Sequence, residues 1–168
     1  MSRLYLLRHA KAGWAEPGMR DFDRPLDRGG RADAAQTGVR MLAAGYRPER
    51  VLCSSARRAR ETLDGLTQGP VEKDRVHFLD QLYTDDAQGY LALIRDNGDA
   101  ASLLVIGHNP MMEDLASAIS RDGDASALAA LSGGFPTSGL AVIRFADGFG
   151  EAAPGRGYLE AFLTPGDR

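Results

Sequence analysis

Short apolar runs alternate with amphipathic stretches along this chain, and that alternation narrows its fold more than any other feature. Strands are expected at Leu4–Leu7, Arg50–Cys53, Val76–Leu79, Ser102–Ile106, Leu140–Phe145 and Tyr158–Leu163. Helices are expected at Gly30–Ala44, Arg57–Thr67, Ala87–Asp96 and Pro110–Ser120, with a shorter helical turn at Ala127–Leu131. On the first helix Ala35, Val39, Leu42 and Ala43 share one face at helical spacing, the pattern of an amphipathic helix. Gly45 follows it, where a left-handed residue commonly ends a helix. Strands interleaved with helices point to the α/β class, with a largely parallel central sheet of about six strands. No repeat, low-complexity tract or long linker divides residues 1–168, so one domain is expected.

The remaining totals exclude broad classes. Hydrophobic residues make up 43% and charged residues 26%, which fits a chain with a packed core. A net charge of −3 gives no basic footprint for nucleic acid. No apolar run reaches the roughly 18 residues of a membrane span. There is also no apolar leader with a small-residue cleavage site, so a cytoplasmic location is expected. The single cysteine, Cys53, cannot form an internal disulfide and fits a reducing compartment.

Three of the strands end on chemistry. Leu4–Leu7 runs into Arg8-His9, and Val51-Leu52-Cys53 into Ser54-Ser55-Ala56-Arg57-Arg58-Ala59-Arg60-Glu61-Thr62. Leu103–Ile106 runs into Gly107-His108-Asn109-Pro110. Parallel strands would bring these ends to one edge of the sheet, where ligands bind in such folds. Two of the three histidines would then lie together beside arginines, while His77 has no such motif and reads as structural. With Ser55 as N-cap, Arg57 and Arg58 fall in a first helical turn, where the helix dipole disfavours cations. They could snorkel or pair with Glu61 and Asp64, but a bound anion would reverse the sign of the effect. Asn109 can cap the following helix and Pro110 suits its first position.

A set of two histidines and two arginines suits phosphoryl transfer. Imidazole can attack phosphorus and hold the phosphoryl group, and guanidinium groups can stabilise its charge. Other chemistries fit less well. A cysteine phosphatase needs an arginine after five intervening residues, and from Cys53 that position is Ala59. No paired ligand motif turns His9 and His108 into a zinc site. Gly29-Gly30 lacks the lysine and hydroxyl pattern of a Walker loop.

These ordered motifs resemble those of the histidine phosphatase superfamily, which includes the phosphoglycerate mutases. Ala10, where the family usually has glycine, resembles the small SixA-type phosphohistidine phosphatases, as do the short chain and the stretch from Asp23 to Gly29. The resemblance implies a phosphoglycerate mutase-like, three-layer α/β/α fold and a reaction without metal or other cofactor. It implies His9 as nucleophile, Arg8 and Arg58 as phosphate ligands, and His108 as the pocket's second histidine. Asp80 falls near the position of the family's acid; Asp85 and Asp86 are further candidates, and Asp21 and Asp23 read equally as solvated turn residues. Arg20 and either Thr137 or Ser138 are possible neighbours of the pocket without motif support. The implied partner is a phosphohistidine-containing protein, such as a phosphotransfer domain or phosphocarrier. A phosphatase of small phosphate esters or phosphoserine, and a non-catalytic phosphate-binding module, remain alternatives.

Overall fold

The computed structural model describes residues 1–166. Strands β1 (Ser2–Arg8), β2 (Arg50–Ser54), β3 (Val76–Leu79), β4 (Ser102–Gly107), β5 (Ser120–Gly123), β6 (Leu140–Phe145) and β7 (Gly157–Leu163) form one sheet. Their order is β3-β2-β4-β1-β6-β7-β5. Pairings are parallel from β3 through β2 and β4 to β1, and again between β7 and β5; β6 runs antiparallel to both neighbours. The sheet is therefore mixed and mostly parallel, with one more strand than the expected six. The extra strand, β5, is the polar segment Ser-Arg-Asp-Gly at the sheet's edge. It takes Ser120 away from the preceding helix, which ends at Ile119.

Helices α1 (Arg28–Ala43), α2 (Arg57–Asp64), α3 (Gln81–Thr84), α4 (Ala87–Arg95), α5 (Met111–Ile119) and α6 (Ala125–Ser132) surround the sheet. Two apolar clusters fill its faces. One joins Leu4, Leu6, Leu103 and Val105 to α4, α5 and α6, and the other joins Tyr5, Leu7, Leu104 and Ile106 to α1 and α2. Alternate residues of β1 and β4 thus face opposite layers, as a strand buried on both sides requires.

The apolar face expected on α1 is solvent-facing. Val39 is 67% exposed and Leu42 40%, whereas Gly30, Ala34, Gly38 and Met41 are buried. The reason is close approach to α2. A Cβ on Gly38 would lie 2.9 Å from the Gly65 carbonyl oxygen, and one on Gly65 2.8 Å from the Ala34 Cβ. Small residues therefore make the contact, and the larger aliphatics are left outside. Further on, α2 stops at Asp64, short of the expected Thr67, and α6 is longer than the expected turn. Gly45 does take a left-handed conformation after α1, with φ 76°.

Two glycines bring segments near the strand ends together. A Cβ on Gly30, in the first turn of α1, would lie 2.1 Å from the Lys11 carbonyl oxygen in the loop after β1. A Cβ on Gly107 would lie 2.7 Å from the Tyr90 hydroxyl. That hydroxyl accepts the His108 N–H at 3.2 Å and donates to the Leu82 carbonyl, tying α4 and α3 to the end of β4.

Candidate active site

The register of the sheet brings the three chemical strand ends together. Arg8 pairs with Gly107, and the His9 N–H donates to the Gly107 carbonyl at 3.0 Å. His9 and His108 therefore stand side by side just past their strands, with ring centroids 5.1 Å apart. On the other side of β4, Cys53 pairs with Ile106, which carries Ser54 to the same edge. From the first turn of α2, Arg58 reaches back to His9 and is 7% exposed.

His9 is fixed through both ring nitrogens. Nδ1–H donates to the Ala10 carbonyl at 2.7 Å, which leaves the lone pair on Nε2. Arg58 Nε–H faces Nε2 at 3.4 Å. Burial, only partly offset by the Ala10 bond and reinforced by Arg58, Arg8 and Arg24, lowers the His9 pKa to about 4. At neutral pH the ring is uncharged and Nε2 keeps its lone pair, which the Arg58 Nε–H faces. Thr62 locks this loop to α2: its hydroxyl accepts the Ala10 N–H at 2.9 Å and donates to the Arg58 carbonyl at 2.7 Å.

His108 is held by Ser54. The Ser54 hydroxyl accepts the Ala56 N–H at 3.2 Å and lies 2.7 Å from His108 Nε2. Donating its own hydrogen to Nε2 satisfies this buried hydroxyl and puts the imidazole proton on Nδ1. Among the described residues that Nδ1 is buried and has no partner. Burial, followed by His9 and Arg58, lowers the His108 pKa to about 3. Ser55 does not cap α2 as expected: the N-cap is Ala56, with no side-chain cap.

Arg8 Nη1 donates to the Phe135 carbonyl at 2.8 Å, while its buried Nε has no partner among the described residues. The Phe135 carbonyl also accepts from the Asn109 amide at 3.2 Å, so the loop before β6 braces two of the strand ends. Ser138 backs the pocket with its N–H directed at the Arg8 and His9 carbonyls, at 3.1 and 3.2 Å. Beside Arg8 opens a groove of about 1010 Å³, lined also by Asn109, Glu113, Phe135, Thr137 and Thr164.

Among the described residues, the carboxylate bonded into this cluster is Asp21, from the single turn Asp21–Asp23. Its Oδ2 accepts from Arg58 Nη2 at 3.0 Å and from the Tyr83 hydroxyl at 2.9 Å, and its Oδ1 accepts from Arg24 Nη1 at 3.0 Å. Partial burial pulls its pKa up, but the bonds from Arg24, Tyr83 and Arg58 prevail and hold it at about 2. Asp80 is different. It is exposed at the start of α3, its carbonyl engaged by the Tyr83 and Thr84 N–H groups, and its carboxylate joins none of the described residues of the cluster. Asp86 caps α4, and Asp23 pairs with Arg20 at the surface. Arg57 pairs with Glu61, and Arg60 lies over the Phe78 ring. His77 is exposed on β3, and Cys53 is buried with its thiol pKa pushed well up by burial. Local sequence carried one signal for Asp21: the reciprocal Arg20–Asp23 and Asp21–Arg24 spacings, which mark an ordered acidic turn. Nothing local singled out Tyr83.

Among the described residues no three His, Cys, Asp or Glu side chains cluster so as to hold a metal ion, and no helix is long and apolar enough to cross a membrane.

Known proteins share this arrangement of chain. Residues 4–82 match the profile of the histidine phosphatase superfamily, branch 1, a stretch holding His9 and Arg58. An uncharacterized protein of Mycobacterium tuberculosis is 34% identical over 164 residues, covering 95% of this chain and 99% of its own length. An uncharacterized chloroplastic protein of Arabidopsis thaliana is 36% identical over 129 residues, 70% of this chain and 59% of that protein. The crystal structure of an Agrobacterium tumefaciens protein provisionally assigned as the phosphohistidine phosphatase SixA superposes with a TM-score of 0.82 at 38% identity, covering 98% of this chain and 99% of that one. With its fold, its profile and its full-length relatives in agreement, the chain belongs to the histidine phosphatase superfamily and, within it, is of the SixA type.

Proposed function

We propose that this phosphatase removes the phosphoryl group from phosphohistidine in a protein, by way of a phosphorylated His9. His9 Nε2 attacks phosphorus in line, and the phosphorus–nitrogen bond of the substrate breaks as the new one forms. The substrate imidazole carries a proton from solvent on its other ring nitrogen, so it departs with the bond's electron pair as the neutral ring. Arg8, Arg58 and the Nδ1–H of His108 bind the phosphoryl oxygens, where charge accumulates in the transition state. Water then attacks phospho-His9. Its oxygen bonds to phosphorus, the electron pair returns to Nε2, and the proton passes to solvent.

The observation that carries the choice of substrate is the state of Asp21. Arginines and a tyrosine hold this carboxyl ionised, with its pKa at about 2, so it has no proton to give to an alkoxide. An ester needs that proton for its leaving group. An imidazole takes its proton from solvent on its own second ring nitrogen and leaves neutral without a carboxylic acid. The groove beside Arg8 offers room for the body of a protein substrate. A phosphotransfer domain or phosphocarrier protein is the class of partner that fits.

The test is phosphate release from matched phosphohistidine and phosphoserine proteins, with chelator present, by wild type and His9→Ala. Selective, His9-dependent loss of phosphohistidine is expected. Equal or preferential release from phosphoserine would overturn the substrate assignment. Release of phosphohistidine undiminished in His9→Ala would overturn the nucleophile.

A further inference from the structure

Arg58 does not enter the pocket unguided. A guanidinium carries five N–H hydrogens, and here three already have acceptors. Nε–H faces His9 Nε2, Nη1 donates to the Asp21 backbone carbonyl at 2.8 Å, and Nη2 donates to Asp21 Oδ2 at 3.0 Å. One residue thus grips the Nη edge of the fork with its main chain and its side chain together. Asp21 is itself anchored by Arg24 and by the Tyr83 hydroxyl. Tyr83 stands edge-on to His108 at 5.5 Å and to Phe22 at 5.1 Å, with the Arg58 guanidinium 5.8 Å from its ring.

We propose that Asp21, backed by Tyr83, is a positioning residue that aims Arg58 at the nucleophile. Its carboxylate and carbonyl fix the Nη edge, so that Nε–H meets the Nε2 lone pair of His9. Each Nη atom keeps a second hydrogen for the phosphoryl group. Asp21 touches neither phosphorus nor the leaving group. Because it rests on His9 as nucleophile and not on which phosphoprotein is the substrate, its test uses no substrate.

The His9 ring is titrated by NMR in wild type, Asp21→Asn, Asp21→Glu, Tyr83→Phe and Arg58→Ala. The charged or titratable groups acting on His9 are Arg58, Arg8, Arg24 and His108. Removing the negative charge of Asp21 would, by charge alone, push the His9 pKa further down. Releasing the aimed guanidinium takes a positive charge away from Nε2 and pushes it up. Positioning and bare charge therefore predict opposite signs. In Asp21→Asn we expect a rise of about one pH unit, a smaller rise in Tyr83→Phe, and restoration toward wild type in Asp21→Glu. Arg58→Ala sets the upper limit. An unchanged or lowered His9 pKa in folded Asp21→Asn would overturn the proposal. Should that variant not fold, Tyr83→Phe decides: a rise supports the proposal and no change sinks it.

Discussion

The pocket has two walls that are held in different ways. The inner wall, with His9, His108 and Arg8, is built on the ends of β1 and β4 and fastened largely by main-chain groups, Ala10, Gly107, Phe135 and Ser138, with buried hydroxyls of Ser54, Thr62 and Tyr90 beside them. The outer wall, with Asp21, Arg24 and Tyr83, is fastened by side chain to side chain, and the Asp21 side chain is 53% exposed. Arg58 belongs to both, with its Nε against His9 and its Nη atoms against Asp21. Sheet register fixes the inner wall and can shift only if the sheet does. Charge fixes the outer wall, in contact with water, where such bonds weaken with salt and yield to substitution. The chemistry thus sits where the protein is stiff, and its adjustment sits where the protein can vary.

The sharpest way to break this comparison is at its centre. His9→Ala should cut turnover by about a thousandfold or more, since it removes the proposed nucleophile. A variant within tenfold of wild type in steady-state rate would dissolve the distinction between the walls. Next comes Ser54→Ala, which removes the partner that sets the His108 proton. We expect it to lower turnover about tenfold through a misoriented phosphate donor, and it would be read from kcat with the fold checked by circular dichroism. A change as small as that from a surface residue would show that His108 orients itself.

Acid should separate the walls by window. The folded His9 pKa is about 4 and that of His108 about 3, against an ordinary 6.5, so the unfolded chain binds more protons between those values. Stability therefore falls as the pH drops from about 6.5 toward 4 and 3, visible as a falling thermal midpoint. Asp21 has the same sign in a lower window: its stabilisation is present above 3.8 and is lost as the pH falls through about 2. In His9→Ala the loss of midpoint between pH 6.5 and 4 should be shallower. An unaltered slope would mean that this ring takes up its proton as readily in the native protein as in the unfolded chain. The smallest effect belongs to Asp80→Asn, expected to change turnover by less than about twofold, in line with a surface substitution away from the cluster. A loss of tenfold would return the family's acid to that position.

The inner wall was legible because strands that end on histidine and arginine contradict their own apolar pattern, and the order of the motifs carries the family likeness. Parallel topology then supplied the meeting of ends that no single segment encodes. The outer wall was hidden because Asp21 reads as a surface turn. Its partners Arg58 and Tyr83 lie 37 and 62 residues away. The edge strand β5 was missed because Ser-Arg-Asp-Gly has no alternation to read, and pairing with β7 alone makes it a strand. The misread face of α1 has a packing cause: glycine and alanine let two helices come close, and hydropathy scores them below the valine and leucine left outside.

Gly30 lies outside the candidate pocket, yet its space is already filled by the Lys11 carbonyl, two residues beyond His9. A single base change in a glycine codon yields alanine, among the smallest steps that inheritance can take. At this position the added methyl would have to displace the loop that carries the Ala10 carbonyl, and with it the bond that sets the His9 proton. The position is therefore open to variation in the gene and closed to it in the protein, for a reason that reading the pocket's own residues would not disclose.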